Sequence, residues 1–298
     1  WRDLPAARKK MSHIALLEAS DSAEEARAVA IKVRGALEHQ GQRIAVITPD
    51  RELAVRVAAQ LRRWNIQVDD SAGTPILQTP HGTLIMALAE AMADRFSPVA
   101  VLALAKHPLV HAGEERLAWL EQVRALDLWL RGPSEGTGLE AISALLEKQT
   151  ARDEVLLMWW AGFIEAMLPL KTASGKPFAD VMDAIQRVAS SLTQGVIWRG
   201  STGRQLATLW EEFAVCDMSA LGRVDAAAIP AVLSVVFGRA VVRPPYGGHP
   251  RVAIYGLLEA RMQQADIVIC GALNEASWPQ MAQPDPWLAP AIRRHLGL

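Results

Sequence analysis

The stretch "HPRVAIYGLLEARMQQADIVICGALNEASWP", His249 to Pro279, decides how the chain is read. Two short apolar runs, "RVAIYG" and "ADIVICG", flank about a turn of helix-like sequence, and an acidic turn ending in Trp-Pro follows. Uncharged, β-branched runs of this length are written for strands with neighbours on both faces, as in parallel sheets. The same texture returns near the start of the chain. "HIALLEA" (residues 13–19) is a strand candidate. It is followed by "DSAEEARAVAIKVRGALEHQG", which has an Asp/Ser start, acidic residues in its first turn and Gly41 at its end, the expected marks of a helix. Ala26, Val29, Val33 and Leu37 fall on one face of that helix. "RIAVITPD" is a further strand, "RELAVRVAAQLRRWN" an amphipathic helix through Leu53, Val57 and Leu61, and "IQVDD" a third strand. Strands alternating with helices over short links predict a parallel α/β layer.

Between these two α/β stretches the texture is different. From about residue 81 to 238, helical patterns dominate: 83–93, 98–106, 114–130, 139–149, 153–167, 178–192 and 201–216. They are broken at Gly/Pro/Ser clusters such as "RGPSEGTG" and "TASGKP". "VRPPYGGHP" (242–250) is the strongest loop signal. The expected organisation is therefore an α/β domain interrupted by an all-helical insertion: 1–80 as its first part, 81–245 as the inserted helical domain and 246–298 as the return segment. Insertions are tolerated where the two ends of an exposed loop lie close together.

Composition sets outer limits. A chain of 298 residues with 51% hydrophobic and 21% charged residues can build about two cores. Its longest apolar runs, such as Leu156 to Ile164, fall short of the roughly 18 residues of a membrane helix. "WRDLPAARKK" has no apolar segment behind its charges, so no secretory leader is expected. The lack of an initial Met and the helix-like "AIRRHLGL" ending suggest a piece of a longer protein. Two cysteines, Cys216 and Cys270, fit a reducing cytoplasm rather than a disulfide framework, with Cys270 expected in the core. A formal charge of −1 supplies no global attraction to nucleic acid, so any such contact depends on local patches.

Several catalytic motifs are missing. A phosphate-binding loop requires Gly-x4-Gly-Lys-Ser/Thr. Gly175-Lys176 is followed by Pro177 and preceded, five positions back, by Leu170, so it reads as a turn. No strand ends in an Asp-Glu pair suited to magnesium, and Asp153-Glu154 opens a helix. No Cys-x2-Cys, His-Glu-x2-His or Gly-x-Ser-x-Gly occurs. His107 and His111 are four apart, but Pro108 argues against a shared helix face. Six tryptophans (119, 129, 159, 160, 198 and 210) lie in the helical block. Stacking on bases is possible, yet Trp119, Val123, Leu126 and Leu130 form one stripe and core filling is the preferred reading.

The phrases "TPDRELAVRVAAQLRRW", "DDSAGTP", "KHPLV", "GLLEAR" and "GALNEASWPQ…PDPWL" resemble the second RecA-like domain of UvrD/RecB-type superfamily-1 helicases. The wording is most similar to the AddB subunits of bacterial AddAB helicase-nucleases, in their alphaproteobacterial form. The resemblance spans nearly the whole chain, strongly at both ends and weakly through the helical middle. It implies a RecA-like parallel sheet with a helical insertion, an AddA-like motor subunit as partner, DNA, single-stranded at this segment, as the substrate, and cytoplasmic double-strand break repair without membrane contact. Active relatives carry Thr-x-His…Lys-Gly-Leu-Glu where this chain has "IYGLLEAR"; Leu257-Leu258-Glu259 preserves only the apolar-apolar-acid shape. The arginine motif those relatives aim at the γ-phosphate has no counterpart, which removes most of the electrostatic assistance to phosphoryl transfer. The resemblance thus implies no catalytic residue, metal or cofactor in this segment. ATP with magnesium and an iron–sulfur cluster would belong elsewhere in the parent complex.

Within that reading the candidate DNA contacts are Arg243, His249, Arg251 and Arg261, around the Pro/Gly loop and the short helix after the strand. The rule that ligands of such sheets lie beyond the carboxyl ends of the strands adds Thr48, Asp50, Arg51, Asn274 and Glu275. Turn chemistry is the plainer account of Asn274 and Glu275, and a capping or surface role that of Glu259. Two other readings stand beside this one: an active helicase domain completed by a phosphate loop outside these residues, and a module that binds only protein.

Overall fold

In the computed structural model, residues 13–132, 136–149, 153–216, 222–243, 248–275, 277–278 and 288–297 are described. The chain divides into two compact units. One comprises residues 1–72 and 246–298, the other residues 73–245.

The first unit is a mixed α/β layer built from both ends of the chain. Its helices are α1 (Ser22–Leu37), α2 (Arg51–Arg62) and α11 (Pro290–His295). Its strands are β1 (Ile44–Ile47), β2 (Asp69–Asp70), β5 (Val252–Tyr255) and β6 (Ile267–Cys270). All four strands are parallel, in the order β2-β5-β1-β6. Ile44 of β1 pairs with Val252 of β5, so segments on either side of the helical unit lie side by side in one sheet. Both long helices start as expected, because Asp21 accepts from the N–H groups of Ala23 and Glu24, and Asp50 from those of Glu52 and Leu53. Their apolar faces, Ala26, Val29 and Val33 of α1 and Leu53, Val57 and Leu61 of α2, meet Ile44, Val46, Val252 and Ile254 in one core.

The opposite face of the sheet carries Ala45, Ile47, Ala253, Tyr255, Val268 and Cys270. Val268 is 52% exposed. Cys270, expected in the core, is exposed at the end of its strand. The strand expected at 13–19 does not form: residues 14–19 have no regular secondary structure and no ladder hydrogen bonds among the described residues, and Ile14, Leu16 and Leu17 are exposed. A strand needs a partner for its N–H and C=O groups, and this segment has none among the described residues.

The second unit is helical: α3 (Pro80–Ala93), α4 (Pro98–Lys106), α5 (Arg116–Trp129), α6 (Leu139–Gln149), α7 (Glu154–Thr172), α8 (Phe178–Thr193), α9 (Gly200–Val215) and α10 (Ile229–Phe237). Its ends are joined by a short antiparallel pair, β3 (Thr74–Pro75) with β4 (Val241–Val242), so the chain enters and leaves this unit through adjacent strands. That pairing explains why the boundary falls between 72 and 73 rather than at 80: Gly73–Gln78 belongs to the base of the helical unit. Gly73 has φ +66°, and a Cβ there would lie 2.6 Å from Val241 Cγ1 and 2.7 Å from the Val242 carbonyl oxygen. Only glycine satisfies both the backbone and the space.

Tryptophan serves this core. Trp119, Trp160 and Trp210 are buried. Trp119 Nε1 donates to the Ala105 carbonyl, Trp160 Nε1 to Ser143 Oγ and Trp198 Nε1 to Ser190 Oγ. α7 runs through Pro169 to Thr172, beyond the expected end at Met167. By length and a mean hydropathy of 1.2 it is the one helix among the described residues that could cross a membrane. Its Leu156, Trp160, Phe163, Met167 and Leu170 are instead buried in the helical core.

Candidate nucleic-acid interface

The strands of a parallel sheet share one direction, so its two edges are chemically distinct and each candidate residue can be assigned to one. Thr48, Arg51 and Asn274 fall at the carboxyl edge. His249 and Arg251 fall at the amino edge. Arg261 lies on the 3-10 turn Glu259–Met262 that links β5 to β6, and Arg243 belongs to the helical unit. Within the first unit the candidates are split between the two edges of the sheet and do not form one site.

At the carboxyl edge the polar groups are engaged with one another. Thr48 is 1% exposed; its hydroxyl accepts from the Asp50 N–H at 3.1 Å. Asp50 is the cap of α2. Arg51 makes a bidentate pair with Asp70, Nη1 to Oδ1 at 3.0 Å and Nη2 to Oδ2 at 2.6 Å, and Asp70 Oδ1 also accepts from the Ala72 N–H. Such fork-to-carboxylate geometry is the strong form of an ion pair. Ala272, with φ +58°, donates its N–H to Glu25 Oε1 at 2.7 Å, which ties α1 to the segment after β6. Asn274 is exposed, and its carbonyl accepts from the N–H groups of Ser277 and Trp278. Its backbone therefore closes a turn, in keeping with the plainer account of this residue.

At the amino edge, Arg251 is not directed at solvent. Its guanidinium donates to the carbonyl oxygens of Leu37 at 3.0 Å and His39 at 2.7 Å, closing the carboxyl end of α1. A cation there satisfies orphan carbonyls and complements the helix dipole. The His249 N–H donates to the Gln67 carbonyl, and His249 Nδ1 accepts from the Arg251 N–H at 3.3 Å. That hydrogen bond leaves Nε2 as the donor of the neutral ring. Arg261 is exposed with no ion pair among the described residues. Arg243 is also exposed, its stem lying over Gly73.

A cavity of about 340 Å³ opens at this amino edge, lined among others by Arg43, Asp69, His249, Tyr255, Gln263 and Gln264. It is at the small end of ligand pockets, which span about 300–1,000 Å³. Arg43, which is exposed, was not among the sequence candidates. A signal for it existed: "RIAVI" and "RVAIY" both place an arginine one residue before an apolar strand, and those strands pair in register. Tyr255 and the two glutamines lie in the unexplained part of the opening stretch and carry no motif.

In the helical unit the two histidines weighed as metal ligands are otherwise engaged. His107 Nδ1 accepts from the Leu109 N–H at 3.3 Å, and its Nε2 lies 3.0 Å from Thr83 Oγ1. His111 stacks on Trp119 with ring centroids 3.9 Å apart. Burial, then the nearby Arg116 and His81, push His107 down to about 4. Among the described residues no group of three or more His, Cys, Asp or Glu side chains is placed to hold a metal ion.

A scan against protein-family models gives no match, and a search of curated proteins finds no significant similarity.

Proposed function

We propose that this chain is a helicase-like segment without ATPase activity from an AddB-type subunit of a double-strand break repair helicase-nuclease. In this reading the first unit is a RecA-like layer carrying the helical unit as an insertion. The segment serves as scaffold for an AddA-like motor and as a guide for single-stranded DNA in the cytoplasm. ATP, magnesium and any iron–sulfur cluster belong to other parts of the parent complex.

The observation that carries the reading is the parallel sheet assembled from both ends of the chain, β1 beside β5 and β6, with residues 73–245 departing and returning through β3–β4. A nucleotide on such a sheet sits beyond the carboxyl ends of its strands. Here that edge offers a buried Thr48, a capping Asp50 and an Arg51 paired with Asp70, groups engaged within the fold itself. DNA contact falls instead to the exposed cations Arg43, Arg261 and Arg243, the first of which borders the amino-edge cavity.

The test uses the full-length subunit in complex with its partner, the partner's motor disabled. The expected result is no DNA-stimulated ATP turnover together with retained binding of single-stranded DNA. Arg43→Ala and Arg261→Ala should each reduce the salt dependence of binding by about one ion. Robust turnover would establish the active-helicase alternative. Loss of all DNA binding in the intact complex would favour a protein-only module. That second reading draws on the exposed apolar residues Val155, Met158 and Leu168 along α7.

A further inference from the structure

The two adjacent aspartates of β2 are used differently. Asp70 holds Arg51 at the start of α2 through the bidentate pair. Asp69 is in register with Ala253 of β5, and Ala253 with Ala45 of β1, so these three form one row across the sheet. Residues in register present their side chains to the same face, here the face turned away from α1 and α2. Asp69 is exposed, and its carboxylate has no hydrogen bond or ion pair among the described residues.

That row is the floor of the amino-edge cavity. Two small alanines side by side leave a hollow, with Asp69 at one end and Tyr255 one step along β5. The loop before β5 closes a wall. The His249 N–H donates to the Gln67 carbonyl, and a Cβ on Gly248 would lie 2.6 Å from the Asp69 nitrogen and 2.7 Å from the Asp69 Cβ. Only glycine permits that approach, which holds Asp69 in position. On the far side stands Arg43, two residues before Ala45, its guanidinium also without a partner among the described residues. By strand geometry the Cα atoms of Arg43 and Asp69 are roughly 12 Å apart, a span of two strands and two residues. Gln263 and Gln264, exposed on the link into β6, complete the lining.

A cation and an anion that border one cavity without pairing select a ligand charged oppositely at its two ends. A guanidinium takes a carboxylate in fork geometry, and a carboxylate accepts from an ammonium group. The glutamine amides and the Tyr255 hydroxyl each offer both a donor and an acceptor, as an amide in the middle of the ligand requires. A volume of about 340 Å³ suits a short molecule. We propose that this cavity binds a zwitterionic dipeptide, its carboxylate on Arg43, its ammonium group on Asp69 and its amide against Gln263 and Gln264. The inference does not rest on the DNA reading. Arg43 enters both, so the two are tested with different ligands.

The test is an NMR titration of the whole chain with alanyl-alanine, read at the backbone amides of Ala45, Ala253, Gln263 and Gln264. Those four should shift together and saturate. N-acetyl-alanyl-alanine and alanyl-alanine amide, each lacking one charge, should bind at least about tenfold more weakly. Arg43→Ala should remove the discrimination against the amidated peptide alone, and Asp69→Asn that against the acetylated peptide alone. Both positions are exposed, and an otherwise unchanged spectrum reports that each variant has folded. Absence of shifts at the four amides overturns the proposal. So does equal binding of free and blocked peptides, and so does discrimination that survives both substitutions. Free alanine binding as tightly as alanyl-alanine overturns the assignment of a peptide.

Discussion

The guanidinium of Arg251 donates to the Leu37 carbonyl at 3.0 Å, joining residues 214 positions apart across the helical insertion. This single contact changes the role expected of a loop arginine. Three carbonyls lie within its reach, that of Leu37 at the end of α1 and those of His39 and Gln42 in the loop that follows. A guanidinium can satisfy several acceptors from one fixed plane.

Arg251→Ala should therefore act on stability rather than on ligand contact. Removing the cation leaves carbonyl groups at the end of α1 without their donor, at a cost of about 2 kcal/mol. The measurement is urea unfolding followed by circular dichroism, alongside binding of single-stranded DNA under conditions where the variant is folded. The expected pair of results is a lowered midpoint and unchanged affinity. Arg251→Lys should recover only part of the loss, since an ammonium cannot span the same acceptors. A folded variant of full stability and reduced affinity would return Arg251 to the interface.

What the sequence could and could not disclose follows from the range of the forces involved. Helices such as Pro98–Lys106 and Leu139–Gln149 were legible because their periodicity and their Pro/Gly breaks are local. α10, Ile229–Phe237, was missed: "IPAVLSVVF" has scarcely any polar face, so no period marks it as helix rather than strand. Residues 13–19 have the right local texture for a strand but no ladder partner among the described residues, and pairing is not a local property. The candidate site fared worse for the same reason. Arg51 and Arg251 read as free loop cations, and their actual partners, Asp70 and the end of α1, are set by the fold. Arg43 lies beside a cavity that exists only because β1 and β5 are neighbours.

Gly73 offers a test of how the helical unit is closed. Alanine at this position would have to adopt φ +66° and place its Cβ within 2.7 Å of the Val242 carbonyl oxygen. Backbone cannot move away as the tip of a side chain can, so the β3–β4 pair must open. Gly73→Ala should cost about 2–3 kcal/mol, more than the usual penalty for left-handed alanine alone. Thermal melting should show a clear fall in Tm. Unaltered melting would mean that the Gly73–Val242 approach is not needed to hold the ends of the unit together.

His107 gives the helical unit a defined response to acid. Its Nδ1 accepts from the Leu109 N–H, so the neutral ring carries its proton on Nε2, facing Thr83 Oγ1, which itself donates to the Pro80 carbonyl. Burial, with Arg116 and His81 nearby, holds the native ring's pKa at about 4, against an ordinary value of 6.5. Between those two pH values the unfolded chain binds the proton and the native chain does not. Stability is thus fully present above pH 6.5 and falls as pH drops toward 4. Burial lowers His81 and His111 in the same direction, so they add to the slope. His107→Asn retains an acceptor for Leu109 but cannot take up a proton. Chemical unfolding at a series of pH values from 8 to 4 should give a shallower decline for this variant than for the wild type. Equal declines would place the acid sensitivity elsewhere and remove His107 from it.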